Sequence, residues 1–138
     1  MAAGIGIGAG EPTTAIILLP AIPLLLAGVL SGRVILMERI GKKAAAVERI
    51  IDSLSLKAEV IPESFPWGPL KPGFDLITLK WVKLTPDLLS KIIRFLSPGG
   101  RLVRYSSESL SSEIIKPCTY TFKDPQTGVI KGFTVYQK

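Results

Sequence analysis

Hydrophobic residues along the chain switch repeatedly between unbroken short runs and helical spacing. "RVILME" (Arg33 to Glu38) is a run of branched apolar residues set between "SG" and "RIGKK". It predicts a strand buried on both faces, as parallel sheets require. "KKAAAVERIIDSLSL" follows, with apolar residues at 47, 50, 51, 54 and 56, the spacing of one helix face. "KAEVI" predicts a short strand ending at Pro62, and "FDLITLKW" predicts another. Between them, "PESFPWGPLKPG" holds four prolines and two glycines in 12 residues, which excludes helix and central strand. Thr85, Pro86 and Asp87 form a helix start: a cap residue, proline in the first turn and an acid at the positive dipole end. The helix "DLLSKIIRFL" stops at "SPGG", "RLVRY" is the next strand, and "CTYTFKD" and "GVIKGFTVYQ" flank "PQT" as a terminal hairpin.

The N-terminal stretch has a different pattern. "MAAGIGIGAGEP" carries glycine at 4, 6, 8 and 10. Gly4 to Ile7 predicts the end of a first strand, the later glycines a turn, and Pro12 to Thr14 the first turn of a helix. "AIILLPAIPLLLAGVL" (15–30) is apolar over 16 residues, short of the ~20 that span a bilayer, and Pro20 and Pro23 interrupt it. A kinked helix packed on the sheet accounts for it, and its outer side is a possible homodimer surface. No Lys or Arg precedes residue 33, so the basic start of a signal peptide is missing. The expectation is a cytoplasmic protein, neither anchored in a membrane nor exported.

Strands alternating with helices, followed by a hairpin, predict one domain (1–138): a mostly parallel sheet with helices on both faces. At 47% hydrophobic and 20% charged residues, the chain has the composition of a globular protein. Its net charge of +6 is uneven: all 17 Lys and Arg lie from residue 33 onward, which favours an anionic partner. Histidine is absent, which excludes Ser-His-Asp and Cys-His catalysis. Cys118 is the single cysteine, so neither an intramolecular disulfide nor a Cys/His metal cluster can form. A reaction that needs a strong base must use Glu, Asp, Lys or Tyr; group transfer from a reactive cofactor asks less of the protein.

In such sheets ligands bind beyond the carboxyl ends of the strands, where strand order reverses. Glycines at the first strand-to-helix turn let the backbone approach a ligand. Glu38 ends the second strand, where a carboxylate can accept bonds from both hydroxyls of a ribose. It follows Gly10 by 28 residues, more than the ~20 usual for such pairs.

"GIGAGEP", "ILMERIGKKAAAVERI", "FDLITLKW" and "LSPGGRLVRYSS" resemble the S-adenosylmethionine-dependent methyltransferases of class I. Within these the chain is most similar to the small-subunit ribosomal RNA guanine methyltransferases, also called glucose-inhibited division protein B, in shortened form. The likeness runs over about residues 4–107, and the hairpin agrees in pattern only. It implies a Rossmann-like three-layer α/β/α sandwich: a mostly parallel seven-stranded sheet with an antiparallel C-terminal hairpin. It further implies that Gly6, Gly8 and Gly10 line the methionine and ribose part of S-adenosylmethionine. Glu38 would take the ribose hydroxyls, Arg39 and Ile40 would lie near the adenine, and Glu63 and Ser64 would face its edge. Lys80 and Trp81 would sit where the methyl group meets its acceptor. Four features depart from the family: Gly4 replaces an acid, residues 13–32 are longer, Lys80 matches an arginine, and Ser106 matches a lysine. On this reading the sequence starts almost inside the first strand, where the family has a helical N-terminal extension.

The resemblance implies transfer of a methyl group to RNA, with a guanine-like acceptor that needs no base. Trp81 or Trp67 could stack on that base, and Lys80, Lys83, Lys91 and Arg94 could meet phosphates. A second possibility is a cofactor-binding paralogue without catalysis, serving as a subunit or scaffold. A dinucleotide oxidoreductase fits less well, because the fifth strand leads into a hairpin instead of another crossover.

Overall fold

The structure is a computed structural model that describes residues 14–17, 33–63, 71–79, 83–106, 110, 113 and 115–138. Strands β1 (Thr14–Ile17), β2 (Arg33–Met37), β3 (Ala58–Ile61), β4 (Phe74–Leu79), β5 (Leu96–Arg104), β6 (Pro117–Lys123) and β7 (Ile130–Gln137) join in one sheet of order β3-β2-β1-β4-β5-β7-β6. The first five are mutually parallel. β7 enters antiparallel to β5, and β6 closes the edge antiparallel to β7. Helix α1 (Gly41–Ser53) links β2 to β3, and α2 (Pro86–Phe95) links β4 to β5.

These two connections run outward from β2 and β4, in opposite directions across the sheet. Right-handed crossovers then place their helices on opposite faces. The packing agrees. Val34 and Leu36 of β2 meet Val47 and Ile51 of α1. Ile35 and Met37, alternating with them, join a core with Leu89, Ile92 and Ile93 of α2. All four residues Val34 to Met37 are buried, so the unbroken apolar run is that of a strand covered on both sides. The chain therefore has a Rossmann-like α/β fold with helices on both faces of the sheet.

Helix α2 starts as its sequence predicts. The Thr85 side chain accepts the Leu88 N–H at 3.2 Å, Pro86 opens the helix, and Asp87 pairs with Lys91 at 2.7 Å. The first strand differs from expectation. It is Thr14–Ile17, paired with both β2 and β4, and the expected strand at Gly4 to Ile7 is not the one at the centre of the sheet. "TAII" by itself predicts the opening of a helix as readily as a strand, since four residues carry no period that separates the two. Its β-branched residues suit a central parallel strand. Residues 15–17 thus belong to the middle of the sheet rather than to a helix with a free outer side. The rest of the 15–30 segment lies outside the described residues.

Two irregularities also escaped the pattern. Helix α1 ends at Ser53, Ser55 takes a left-handed backbone (φ 51°), and the Leu56 N–H returns to Ile51 O at 3.0 Å. Leu56 is thereby brought onto the sheet, while Leu54 is left 61% exposed. "SPGG", expected to separate helix from strand, lies inside β5 as a bulge. Phe74 pairs with Leu96, but Leu76 pairs with Arg101. Ser97 Oγ fixes the bulge by bonds to Phe74 O at 3.0 Å and Asp75 Oδ1 at 2.7 Å.

Candidate functional site

Strand order reverses between β1 and β4, so a ligand site is sought at the carboxyl edge of these strands and their neighbours. Glu38 follows β2 there. Its N–H donates to Ile61 O at 3.0 Å, which locks the ends of β2 and β3 together. Its side chain turns toward the start of α1, where Oε1 accepts the Ile40 N–H at 2.9 Å. Ile40 is the residue that begins α1 and has no side-chain oxygen to cap it, so Glu38 supplies a negative charge at the positive helix end. Glu38 is half-buried, and Arg39 beside it is exposed.

Glu63 lies across the same edge. Met37 and Ile61 are register partners, and the Glu63 N–H bonds back to Ile61 O at 2.8 Å. The fold therefore brings Glu38, Arg39 and Glu63 to adjoining strand ends, although Glu63 comes 24 positions after Arg39. Ser64, Lys80, Trp81 and Trp67 lie outside the described residues, as do Gly6, Gly8 and Gly10. Chain order adds one fact about those glycines: they precede β1, whereas a loop at the carboxyl end of β1 must follow Ile17.

On the far side of the switch point, the Tyr105 N–H donates to Leu79 O at 2.9 Å and ties the ends of β4 and β5. Tyr105 is half-buried, and burial pushes its hydroxyl above the ordinary tyrosine range, so it stays protonated and able to donate at neutral pH. Sequence reasoning missed it. The available signal was an aromatic residue closing the "RLVRY" run. Ser106 follows, its carbonyl accepting from Thr134 Oγ1 at 2.9 Å.

Of the basic residues expected at phosphates, Lys80 lies outside the described residues, and Lys91 and Arg94 stand three positions apart on α2, as surface neighbours do. Lys83 is exposed just before α2, whereas Arg94 is eight residues beyond Pro86, about 12 Å along the helix axis. Lys91 already faces Asp87. Among the described residues no group of His, Cys, Asp and Glu could hold a metal ion, and no helix is long and apolar enough to cross a membrane.

The chain matches no protein-family model. Over 98 residues it is 34% identical to the ribosomal RNA small subunit methyltransferase G of Chlorobium phaeobacteroides, covering 71% of this chain and 44% of that protein. It thus spans less than half the length of this curated relative. Among solved structures, a methyltransferase from Pyrococcus furiosus superposes with a TM-score of 0.62 at 14% identity, over 85% of this chain and 68% of that one. A weaker likeness (TM-score 0.49, 15% identity, 78% and 70% coverage) is to the C-terminal domain of precorrin-6Y C5,15-methyltransferase from Rhodobacter capsulatus, and it adds nothing to the fold assignment. The sheet order and the partial sequence likeness agree: the chain carries a Rossmann-like α/β fold and is similar over 98 residues to a ribosomal RNA small subunit methyltransferase.

Proposed function

We propose that the chain binds S-adenosylmethionine at the carboxyl edge of β1 to β5 and transfers its methyl group to a base of RNA. The observation that carries this is Glu38, a half-buried carboxylate at the end of β2 in a sheet of order β3-β2-β1-β4-β5-β7-β6. With Oε1 engaged by the Ile40 N–H, the carboxylate is held in one orientation and keeps acceptor capacity for the two hydroxyls of a ribose. Arg39 would lie near the adenine, and Glu63 with Ser64 would face the adenine edge. Lys80 and Trp81, which follow β4, would orient the acceptor. The proposal places its weight on Glu38, because Gly6, Gly8 and Gly10 stand upstream of β1 in the chain.

S-adenosylmethionine held by Glu38, Arg39 and Glu63 would supply a methyl group on a sulfonium reactive enough that a guanine ring nitrogen would need no base, the thioether of the cofactor being the leaving group. The protein's task is then orientation and exclusion of water, which a chain without histidine can perform. The basic half of the chain suits a polyanionic substrate.

A second reading, a cofactor-binding subunit without catalysis, is favoured by one position: Ser106 at the end of β5 cannot carry the charge of the family's lysine there. Calorimetric titration separates the main reading from its failure. Glu38→Ala should weaken S-adenosylmethionine binding by roughly tenfold or more, the scale of lost hydrogen bonds to a charged group. Unchanged affinity would remove the cofactor assignment. Intact binding with no methyl incorporation into RNA would select the second reading.

A further inference from the structure

The face of the sheet that carries α1 is covered at its β2–β3 end by Val47 and Ile51. Toward β5, β7 and β6 the same face lies open among the described residues and forms a cleft of about 530 Å³. Val103 and Val135, register partners across β5 and β7, floor it. Tyr120 and Phe133, partners across β6 and β7, wall it with rings stacked 5.1 Å apart at 19°. Arg101 and Lys116 also line it, both exposed and neither ion-paired with a carboxylate among the described residues. Tyr120 is 50% exposed and Phe122, two residues on along β6, is 51% exposed, so the aromatic row continues past the cleft. Among the described residues no acidic side chain lines it. Arg101 lies at mid-strand and Tyr120 and Phe133 are level with the carboxyl end of β5, but β6 is five strands across the sheet from β2, whose end holds Glu38.

Such a combination selects its partner. An apolar helix laid over the face would bury Arg101 and Lys116 without counter-charges, at high cost. A second copy of the chain would repeat both cations across a two-fold axis. A partner with flat rings and regularly spaced anions satisfies both halves of the surface. We propose that this face is a docking platform for single-stranded RNA, with a base stacked on Tyr120 and the flanking phosphates met by Arg101 and Lys116. The choice of RNA over DNA rests on the RNA-methyltransferase reading above; the platform itself does not.

The test is fluorescence anisotropy of the full chain with a labelled, unstructured oligoribonucleotide of about 12 nucleotides and its DNA counterpart, over a range of salt. Tyr120→Ala should weaken RNA binding at least about tenfold, while Tyr120→Phe, which keeps the ring, should bind within about threefold of the parent. Arg101→Ala should lower the slope of log affinity against log salt by about 0.7, one phosphate contact. Calorimetric affinity for S-adenosylmethionine should be the same in all three variants. Loss of S-adenosylmethionine binding by the parent, with RNA still lost in Tyr120→Ala, would fell the methyltransferase reading and leave the platform standing. RNA affinity unchanged in both Tyr120→Ala and Arg101→Ala, or tighter binding of the DNA, would overturn the proposal. So would a dimer in sedimentation that Tyr120→Ala dissolves, which would make the face a protein interface.

Discussion

Gly100 is buried in the β5 bulge, and a Cβ there would stand 2.8 Å from both Phe74 O and Ser97 O. These are backbone atoms that cannot rotate aside, so Gly100→Ala should cost roughly 1–3 kcal/mol, the usual penalty of overpacking. Urea unfolding measures it, and a loss below about 0.5 kcal/mol would show that the bulge yields freely. Asp124, between β6 and β7, offers a residue-scale prediction in pH. The Lys131 ammonium, together with the N–H groups of Gln126 (2.9 Å) and Thr127 (3.3 Å), holds its carboxyl down to about 2 from an ordinary 3.8. A folded value below the unfolded one gives stability that is present above about pH 4 and is lost as pH falls toward 2. Thermal melts at these two pH values should therefore show a larger drop for the parent than for Asp124→Asn. Equal drops would mean that the turn gains nothing from the charge.

At the scale of elements, legibility followed how local the cause was. β2 was readable because four successive apolar residues are buried by both helices at once. α2 was readable from Thr85, Pro86 and Asp87, each acting within one turn. The hairpin was readable from its strand patterns around a short polar loop. β1 was not, because "TAII" becomes a strand through its two parallel neighbours, which no short window contains. The end of α1 was hidden for a related reason: Ser55 takes the left-handed position that glycine usually marks. The site shows the same division. Glu38 could be placed because a strand end and a helix start bracket it, while Tyr105 acquires its raised pKa from burial that only the assembled sheet provides.

At the scale of the molecule, two half-sheets diverge from β1 and β4, and their connections cover opposite faces. The carboxyl edge between them gathers Glu38, Arg39 and Glu63 on one side and Tyr105 with Ser106 on the other. The aromatic and basic face lies at the β6 side of the sheet, so the proposed cofactor site and the proposed platform share no residues. Charge follows the same plan. The residues before β2 carry a single ionisable side chain, and the cations are left to the elements around them.

The insertion of β7 between β5 and β6 has a consequence in time. During synthesis, which adds about 5–20 residues per second, the strands emerge in chain order, but the sheet cannot close in that order. β6 leaves the ribosome before the strand it pairs with, and β5 keeps an open edge until residues 130–137 appear. Tyr136, buried on β7, then accepts the Leu110 N–H at 2.9 Å and fastens the β5–β6 connection last. A nascent chain halted at Asp124 should accordingly be cut by protease within β5 and β6 while β2 and α1 resist. Protection of β5 at that length would mean that its edge finds another partner first. For a protein with an open aromatic sheet face, this interval before β7 arrives is when unwanted strand pairing between chains is most available.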